Sequence, residues 1–327
     1  MKKIVVAPDS FKGSLTSAEV ADAVERGIKD VFPQCNVVKA GVADGGEGTV
    51  EAIVKAVGGD MYAASVTDPL GRPVKAAYGI VRSGGVKTAV MEMSAASGLP
   101  LLLPDELNPW ITSTYGTGEM ISDALNRGCR KFLVGIGGSA TNDAGTGMLS
   151  ALGVRFLDSS GQRLKGCGRD LESIARIDMS SLMPAARESE FIVACDVNTL
   201  FCGPDGAARV FAPQKGADPQ TAEALDRGMR SFAQVIAGQF QTDIVPLSGA
   251  GAAGGLGGAF KAFLNARLTA GIEMVLDAIA FDSLLEGADL VITGEGRIDA
   301  QTAAGKTAAG VLRHAARKGI PVIAIGG

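Results

Sequence analysis

The sequence predicts an α/β fold in two domains, one on a parallel, three-layer Rossmann-like sheet and the other on a mixed sheet. Three observations carry this. Strand, loop and helix patterns alternate at both ends, turn-separated short strands fill part of the middle, and the glycines gather in loops that follow strands. With 327 residues and 46% hydrophobic content, the chain has apolar material enough for two cores.

Residues 4–7 are a short apolar run. Residues 14–30 (SLTSAEVADAVERGIKD) have the spacing of an amphipathic helix, with Ser14 or Thr16 as N-cap and Glu19 in the first turns. A second unit follows: a strand over 36–42, the loop ADGGEGT, and a helix over 49–57 stopped by Gly58 and Gly59. Repeated β-then-α order predicts parallel pairing, with the loops collected at one sheet edge. From Tyr62 the segments YAASVTD, VKAAYGIV and VKTAVMEM, separated by turns at 69–73 and 84–85, read as antiparallel hairpins. A helix over 117–126, a strand over 131–135, a glycine-rich loop and a helix to Ala151 come next. The tail repeats the N-terminal pattern, with a strand over 288–293, a polar loop, a helix over 308–318 and a strand over 320–325. The two ends are therefore expected to share a sheet, giving one domain of 1–65 plus 285–327 and an inserted domain of 66–284. Because the chain stops at Gly326-Gly327 directly after a strand, the natural protein is expected to continue beyond it.

Composition excludes several classes. Thirty-one basic against 35 acidic residues leave a net charge of -4, which disfavours nucleic acid and anionic membranes as partners. The apolar run after Met1-Lys2-Lys3 is too short for a signal peptide, and no run approaches the ~18 apolar residues of a membrane span. A soluble protein is expected. Five cysteines with no C-x-x-C pair argue against a disulfide framework or a cysteine zinc site, and fit free thiols in the cytoplasm. The single histidine, His314, sits in a helical pattern and reads as an ordinary helix residue; it rules out a multi-histidine metal site. Chemistry is left to carboxylates, lysines, hydroxyls and backbone amides.

Five loops supply those groups. APDSFKGS places Asp9, Ser10 and Lys12 between a strand and a helix, where an anion or a plain helix cap would suit them. ADGGEGT offers Asp44, Gly45, Gly46 and Glu47 as amides and carboxylates for substrate hydroxyls or a divalent ion. GIGGSATNDAGTG lies between a strand and a helix, the geometry that holds phosphate, with Gly137, Gly138, Ser139, Thr141 and Asn142 as candidate contacts. It also fits a loose dinucleotide pattern with Asp158 downstream, but its crowded hydroxyls and amide suit phosphate and Mg²⁺ better than close helix packing. Asp196 emerges from the apolar strand FIVAC, and Lys215 in PQKGA is either a ligand group or a surface lysine. TGEGRIDAQTAAGKT carries Glu295, Asp299, Gln301 and Lys306, yet Ala300 stands where a phosphate loop requires glycine. Together the loops suit phosphoryl transfer, with lysine and Mg²⁺ neutralising charge and a carboxylate accepting the substrate's hydroxyl proton.

The blocks APDSFKGSL, ADGGEGT, DPLGRPV, MEMSAASGL, STYGTGE, GIGGSATND, DVNTLF, FAPQKGA, GAGAAGGLG and ITGEGRIDAQTAAGKT, in this order, resemble the type I glycerate kinase family over essentially the whole chain. That resemblance implies ATP, Mg²⁺ and D-glycerate, 2-phosphoglycerate as product, and a site in the cleft between two α/β domains. It also implies a place in glycerate, glyoxylate or glucarate/galactarate breakdown. Residue chemistry then assigns Asp196 as general base with Asp299 as rival, and Lys12 to the transferring phosphate or the glycerate carboxylate. Asp9, Ser10 and residues 44–47 fall to the substrate, and Asp44 and Glu295 to Mg²⁺. Gly137, Gly138, Ser139, Thr141, Asn142 and Lys215 fall to the nucleotide. A nicotinamide-dependent hydroxy-acid dehydrogenase, a non-catalytic sensor of a small acid, and assembly as a homo-oligomer stay open.

Overall fold

A computed structural model describes residues 1–11, 13–83, 85–297 and 307–327. Both expected sheet types are present. A four-stranded parallel sheet has the order β12-β11-β1-β2, with β1 Lys3–Pro8, β2 Asn36–Lys39, β11 Leu290–Glu295 and β12 Val322–Gly326. A six-stranded mixed sheet has the order β10-β9-β6-β5-β4-β3, with β3 Gly59–Thr67, β4 Pro73–Ser83, β5 Val86–Glu92, β6 Lys131–Gly135, β9 Glu190–Ala194 and β10 Arg267–Thr269. Its hairpin strands β3, β4 and β5 are antiparallel, and β5, β6, β9 and β10 run parallel. A small hairpin, β7 Arg155–Leu157 with β8 Arg176–Asp178, stands apart.

Helix α1 (Ser17–Val31) begins where its cap chemistry dictates: Thr16, and not Ser14, is the N-cap. Its Oγ1 accepts from the Glu19 amide at 3.2 Å, and Glu19 Oε2 accepts from the Thr16 amide at 2.8 Å. Helix α2 (Thr49–Val57) has the expected bounds, with glycine at either end. The other long helices are α3 (Tyr115–Asn126), α4 (Thr146–Ala151), α5 (Pro219–Phe240), α6 (Ala252–Leu264), α7 (Gly271–Ala278) and α8 (Thr307–Arg317). Strand β2 stops at Lys39, short of the expected Val42. Ala40 and Val42 remain buried, so the apolar pattern persists after the strand pairing ends.

Alternation along β1 decides how the layers stack. Ile4 and Val6 pack with Ala21 and Ile28 of α1, while Val5 and Ala7 face the opposite way. They join a core holding Ile272, Val275 and Leu276 of α7, Val311 of α8, and Val90, Leu133 and Ile192 from the mixed sheet. Helix layers thus cover both faces of the parallel sheet, as its unbroken apolar strands require. The carboxyl ends of β6 and β9 come to lie beside the loop that leaves β2.

Candidate functional site

A cleft of about 330 Å³ opens at the carboxyl ends of β6 and β9. Asp44, Gly46, Gly137, Ser139, Asp196 and Lys215 are among its walls. Three of the five loops singled out from sequence, widely separated along the chain, therefore converge here.

The Asp44 loop crosses to the mixed sheet by dispensing with side chains. Gly45 has φ +85°, and a Cβ there would lie 2.7 Å from Ala194 Cβ and 2.8 Å from Gly271 Cα. A Cβ on Gly135 would stand 2.3 Å from the Gly45 carbonyl oxygen. The loop thus rests directly on the ends of β6 and β9 and on the start of α7. Asp44 Oδ1 accepts from the Gly46 amide at 3.1 Å. Glu47 is exposed and does not line the cleft.

Lys215 is not a surface lysine. It is 1% exposed, and its ammonium donates to Ser139 Oγ at 2.6 Å and to the Thr141 carbonyl at 2.7 Å. Burial pushes its pKa down to about 7, against the pull of Asp143. Asp143 is completely buried and organises the loop beneath. Its carboxylate accepts from the Thr114 amide at 2.7 Å, Thr114 Oγ1 at 2.8 Å and the Gly145 amide at 3.0 Å. Burial raises the Asp143 pKa and those donors oppose the rise. Thr141 and Asn142 lie below the cleft floor, with Asn142 Nδ2 directed at Met229 Sδ, 3.2 Å away. Thr141 Oγ1 and Asn142 Oδ1 have no hydrogen-bond partner among the described residues.

The start of α6 completes the floor. Ala253, Gly254 and Gly255 have left-handed backbones, and a Cβ on Gly254 would meet the Thr141 carbonyl at 2.2 Å. The glycine- and alanine-rich block thus serves close backbone approach. Asp196, exposed at the end of β9, accepts the Gly271 amide on Oδ1 at 2.9 Å.

A second polar group forms on the neighbouring edge of the parallel sheet and does not line the cleft. Asp9 follows β1, accepting from Thr307 Oγ1 at 2.6 Å and from the Ser10 amide at 2.7 Å. Glu295 ends the adjacent β11; it is 9% exposed, and its Oε1 has no partner among the described residues. A buried carboxylate oxygen lacking a donor fits a cation, and Mg²⁺ commonly takes only one or two carboxylates beside phosphate and water. Among the described residues no three metal-binding side chains cluster. Lys12, Asp299, Gln301 and Lys306 lie outside the described residues.

Two sequence signals resolve elsewhere. Asp158 accepts from the Ser160 and Gln162 amides, each at 2.9 Å, and so shapes a turn away from the cleft; the dinucleotide pattern has no acid in place. His314, buried in α8, lies 2.8 Å from Asp282 and 3.0 Å from Glu273, remote from the cleft. Two residues of the site region went unread in the sequence: Glu92 and Gly271. Glu92 carried the same signal as Asp196, an acid leaving an apolar strand. Gly271 carried none, since only the fold brings its amide to Asp196.

Glycine-walled loops, a buried lysine and carboxylates meeting at the strand ends define an α/β phosphotransferase. A family profile described as the glycerate kinase family matches residues 4–327. The chain is 49% identical to a glycerate kinase of Bacillus subtilis (strain 168), over 99% of this chain and 85% of that one. It is 46% identical to a glycerate 2-kinase of Escherichia coli (strain K12), again over 99% and 85%. A crystal structure assigned to a glycerate kinase 2 of Salmonella typhimurium LT2 superposes with a TM-score of 0.95 at 47% identity, covering 100% of this chain and 87% of that one. The chain belongs to the glycerate kinase family.

Proposed function

We propose that this chain transfers the γ-phosphoryl group of ATP to the C2 hydroxyl of D-glycerate, giving 2-phosphoglycerate and ADP. The observation that carries the reading is Lys215, buried against Ser139 beneath the glycine loop, in a cleft that also presents Asp44 and Asp196. Phosphates lie along the Gly137–Gly138–Ser139 backbone, with Lys215 neutralising charge as it shifts from the γ-phosphorus to the ADP leaving oxygen. Asp44, Gly45 and Gly46 orient glycerate, with Lys12 as a further contact; Glu47 and the Asp9–Ser10 pair do not line the cleft and are not assigned to the substrate. Thr141 and Asn142 support the nucleotide loop from below. As the hydroxyl oxygen attacks, Asp196 takes its proton, with Asp299 as the alternative base. Mg²⁺ held by Asp44 would supply further neutralisation of phosphate charge, whereas Glu295 would serve a cation only in the second polar group, off the cleft.

The division into a domain of 1–65 plus 285–327 and an inserted domain of 66–284 belongs to the same proposal, as do a cytoplasmic setting and a role in organic-acid breakdown. An ATP-coupled assay with D-glycerate, with and without Mg²⁺, tests it when the product is read by enzymes that separate the 2- from the 3-phosphate. Formation of the 2-phosphate is expected. The 3-phosphate would overturn the substrate pose, absence of product would overturn the kinase reading, and full turnover without a divalent ion would remove Mg²⁺.

A further inference from the structure

Glu92 ends β5, opposite Gly135 of β6 in the parallel register, and so stands at the edge where the cleft opens. It does not line the cleft. Its Oε1 instead accepts from the Val50 amide, 3.1 Å away in the first turn of α2. That helix has no cap of its own: the N-cap is Gly48, with φ +87° and no side-chain hydrogen bond, and Thr49 Oγ1 is buried without a partner among the described residues. A helix begins with amides that need acceptors, and a carboxylate suits the positive end of its dipole. Here the acceptor comes from another sheet, 42 residues along the chain.

The place of this contact gives it a consequence. The loop carrying Asp44 and Gly46 is held at its start, where Gly45 rests on Ala194 and Gly271. Its far end runs into Thr49 and Val50, where Glu92 holds it. Helix α2 is further fixed along its length by Val54, whose Cγ2 lies 2.3 Å from where a Cβ on Gly79 would sit. Glu92 is thus a polar pin at the point where the substrate loop becomes helix.

We propose that Glu92 is a positioning residue for glycerate binding: it supplies from β5 the N-terminal cap that α2 lacks and thereby fixes the cleft-facing groups of the Asp44–Gly46 segment. Burial pushes its carboxyl up to about 7; the Val50 amide opposes the rise and Glu51 adds to it. Both protonation states keep an oxygen that can accept the amide, so the role does not require the charge.

The proposal rests on the glycerate kinase reading, and its test has one arm that does not. In Glu92→Ala, the KM for glycerate should rise about tenfold, as loss of a capping acceptor from a partly buried amide implies. The KM for ATP and kcat should stay within about threefold, and Glu92→Gln should restore the glycerate KM. Hydrogen exchange at the Thr49 and Val50 amides, measured without substrate, should quicken in Glu92→Ala and return to the parent rate in Glu92→Gln. An unchanged glycerate KM in Glu92→Ala, unchanged exchange at those amides, or equal loss of kcat in both variants would each overturn the proposal. If Glu92→Ala does not fold, Glu92→Gln alone decides, because a glycerate KM raised tenfold there would show that the charge is required. A parent enzyme without turnover would sink the kinase reading and leave the exchange arm to judge the pin.

Discussion

Lys215 Nζ lies 2.6 Å from Ser139 Oγ, in a site that leaves the lysine 1% exposed. An ammonium so placed is costly unless an anion arrives to share it. Lys215→Met should therefore lower kcat/KM by about 100- to 1,000-fold, the usual cost of deleting a donor aimed at developing charge. The same desolvation gives a stability signature of opposite sense. The folded-state pKa of about 7 lies below the ~10.4 of an unfolded lysine. Between those values the unfolded chain binds more protons, so this group's cost is complete below about pH 7 and fades as pH rises. Denaturant titrations should find the Met variant's stability advantage over the parent larger at pH 6 than at pH 9. An advantage independent of pH would contradict the desolvated site.

Asp196→Asn keeps an oxygen able to accept the Gly271 amide, so the end of β9 and the start of α7 should stay joined. Loss of the base should nonetheless lower kcat by at least about 100-fold, with the glycerate KM little changed. Steady-state kinetics at saturating ATP measure this. Near-parental turnover would pass the role to Asp299.

His314 bridges two carboxylates, at 2.8 Å to Asp282 and 3.0 Å to Glu273, and so pins α8 to α7. Burial favours the neutral ring, but bonds from Glu273 and Asp282 win and raise its pKa above the ordinary value. The raised value means that the contribution is fully present below the unfolded histidine's pKa, about 6.5, and is lost as pH climbs through the folded one. His314→Leu should cost about 1 kcal/mol at pH 6, kept modest by solvent around the exposed Asp282, and less at pH 9. Thermal melts at the two pH values separate this from simple loss of packing, which would be independent of pH.

The contrast between Thr16 and Lys215 shows what the sequence could and could not reveal. Thr16 and Glu19 form a cap within four residues, so its existence was legible, although the sequence left Ser14 open as the capping residue. The same holds for α2, bounded by glycines, and for the hairpin strands. Lys215 sits in PQKGA, where the sequence leaves a ligand group and a surface lysine equally open; only contacts to Ser139 and Thr141, more than 70 residues away, bury it. The overrun of β2 has a similar cause, since the last pairing bond runs from the Ala40 amide to the Val6 carbonyl and Val42 beyond it is buried by the neighbouring core. Asp44, Ser139 and Asp196 were readable as acids and hydroxyls after strands. That Thr141 and Asn142 sit under the floor depends on α6 pressing Gly254 against them.

Gly45 and Gly48 separate two costs that usually travel together. Both have left-handed backbones, φ +85° and +87°, so alanine at either position should lose about 1–2 kcal/mol to backbone strain. A Cβ at Gly48 meets nothing within 4 Å, whereas one at Gly45 would strike Ala194 and the Gly271 backbone under 3 Å away. Gly45→Ala should therefore cost a further 1–3 kcal/mol or so, or lift the loop off the ends of β6 and β9. Lifting would carry Asp44 and Gly46 out of the cleft, raising the glycerate KM by well over tenfold in a protein that still folds. Gly48→Ala, strained but uncrowded, should lose stability with a KM within about threefold of the parent. Melting temperatures and glycerate titrations on the pair decide the matter, because equal KM values would mean that the contact at Ala194 does not hold the loop.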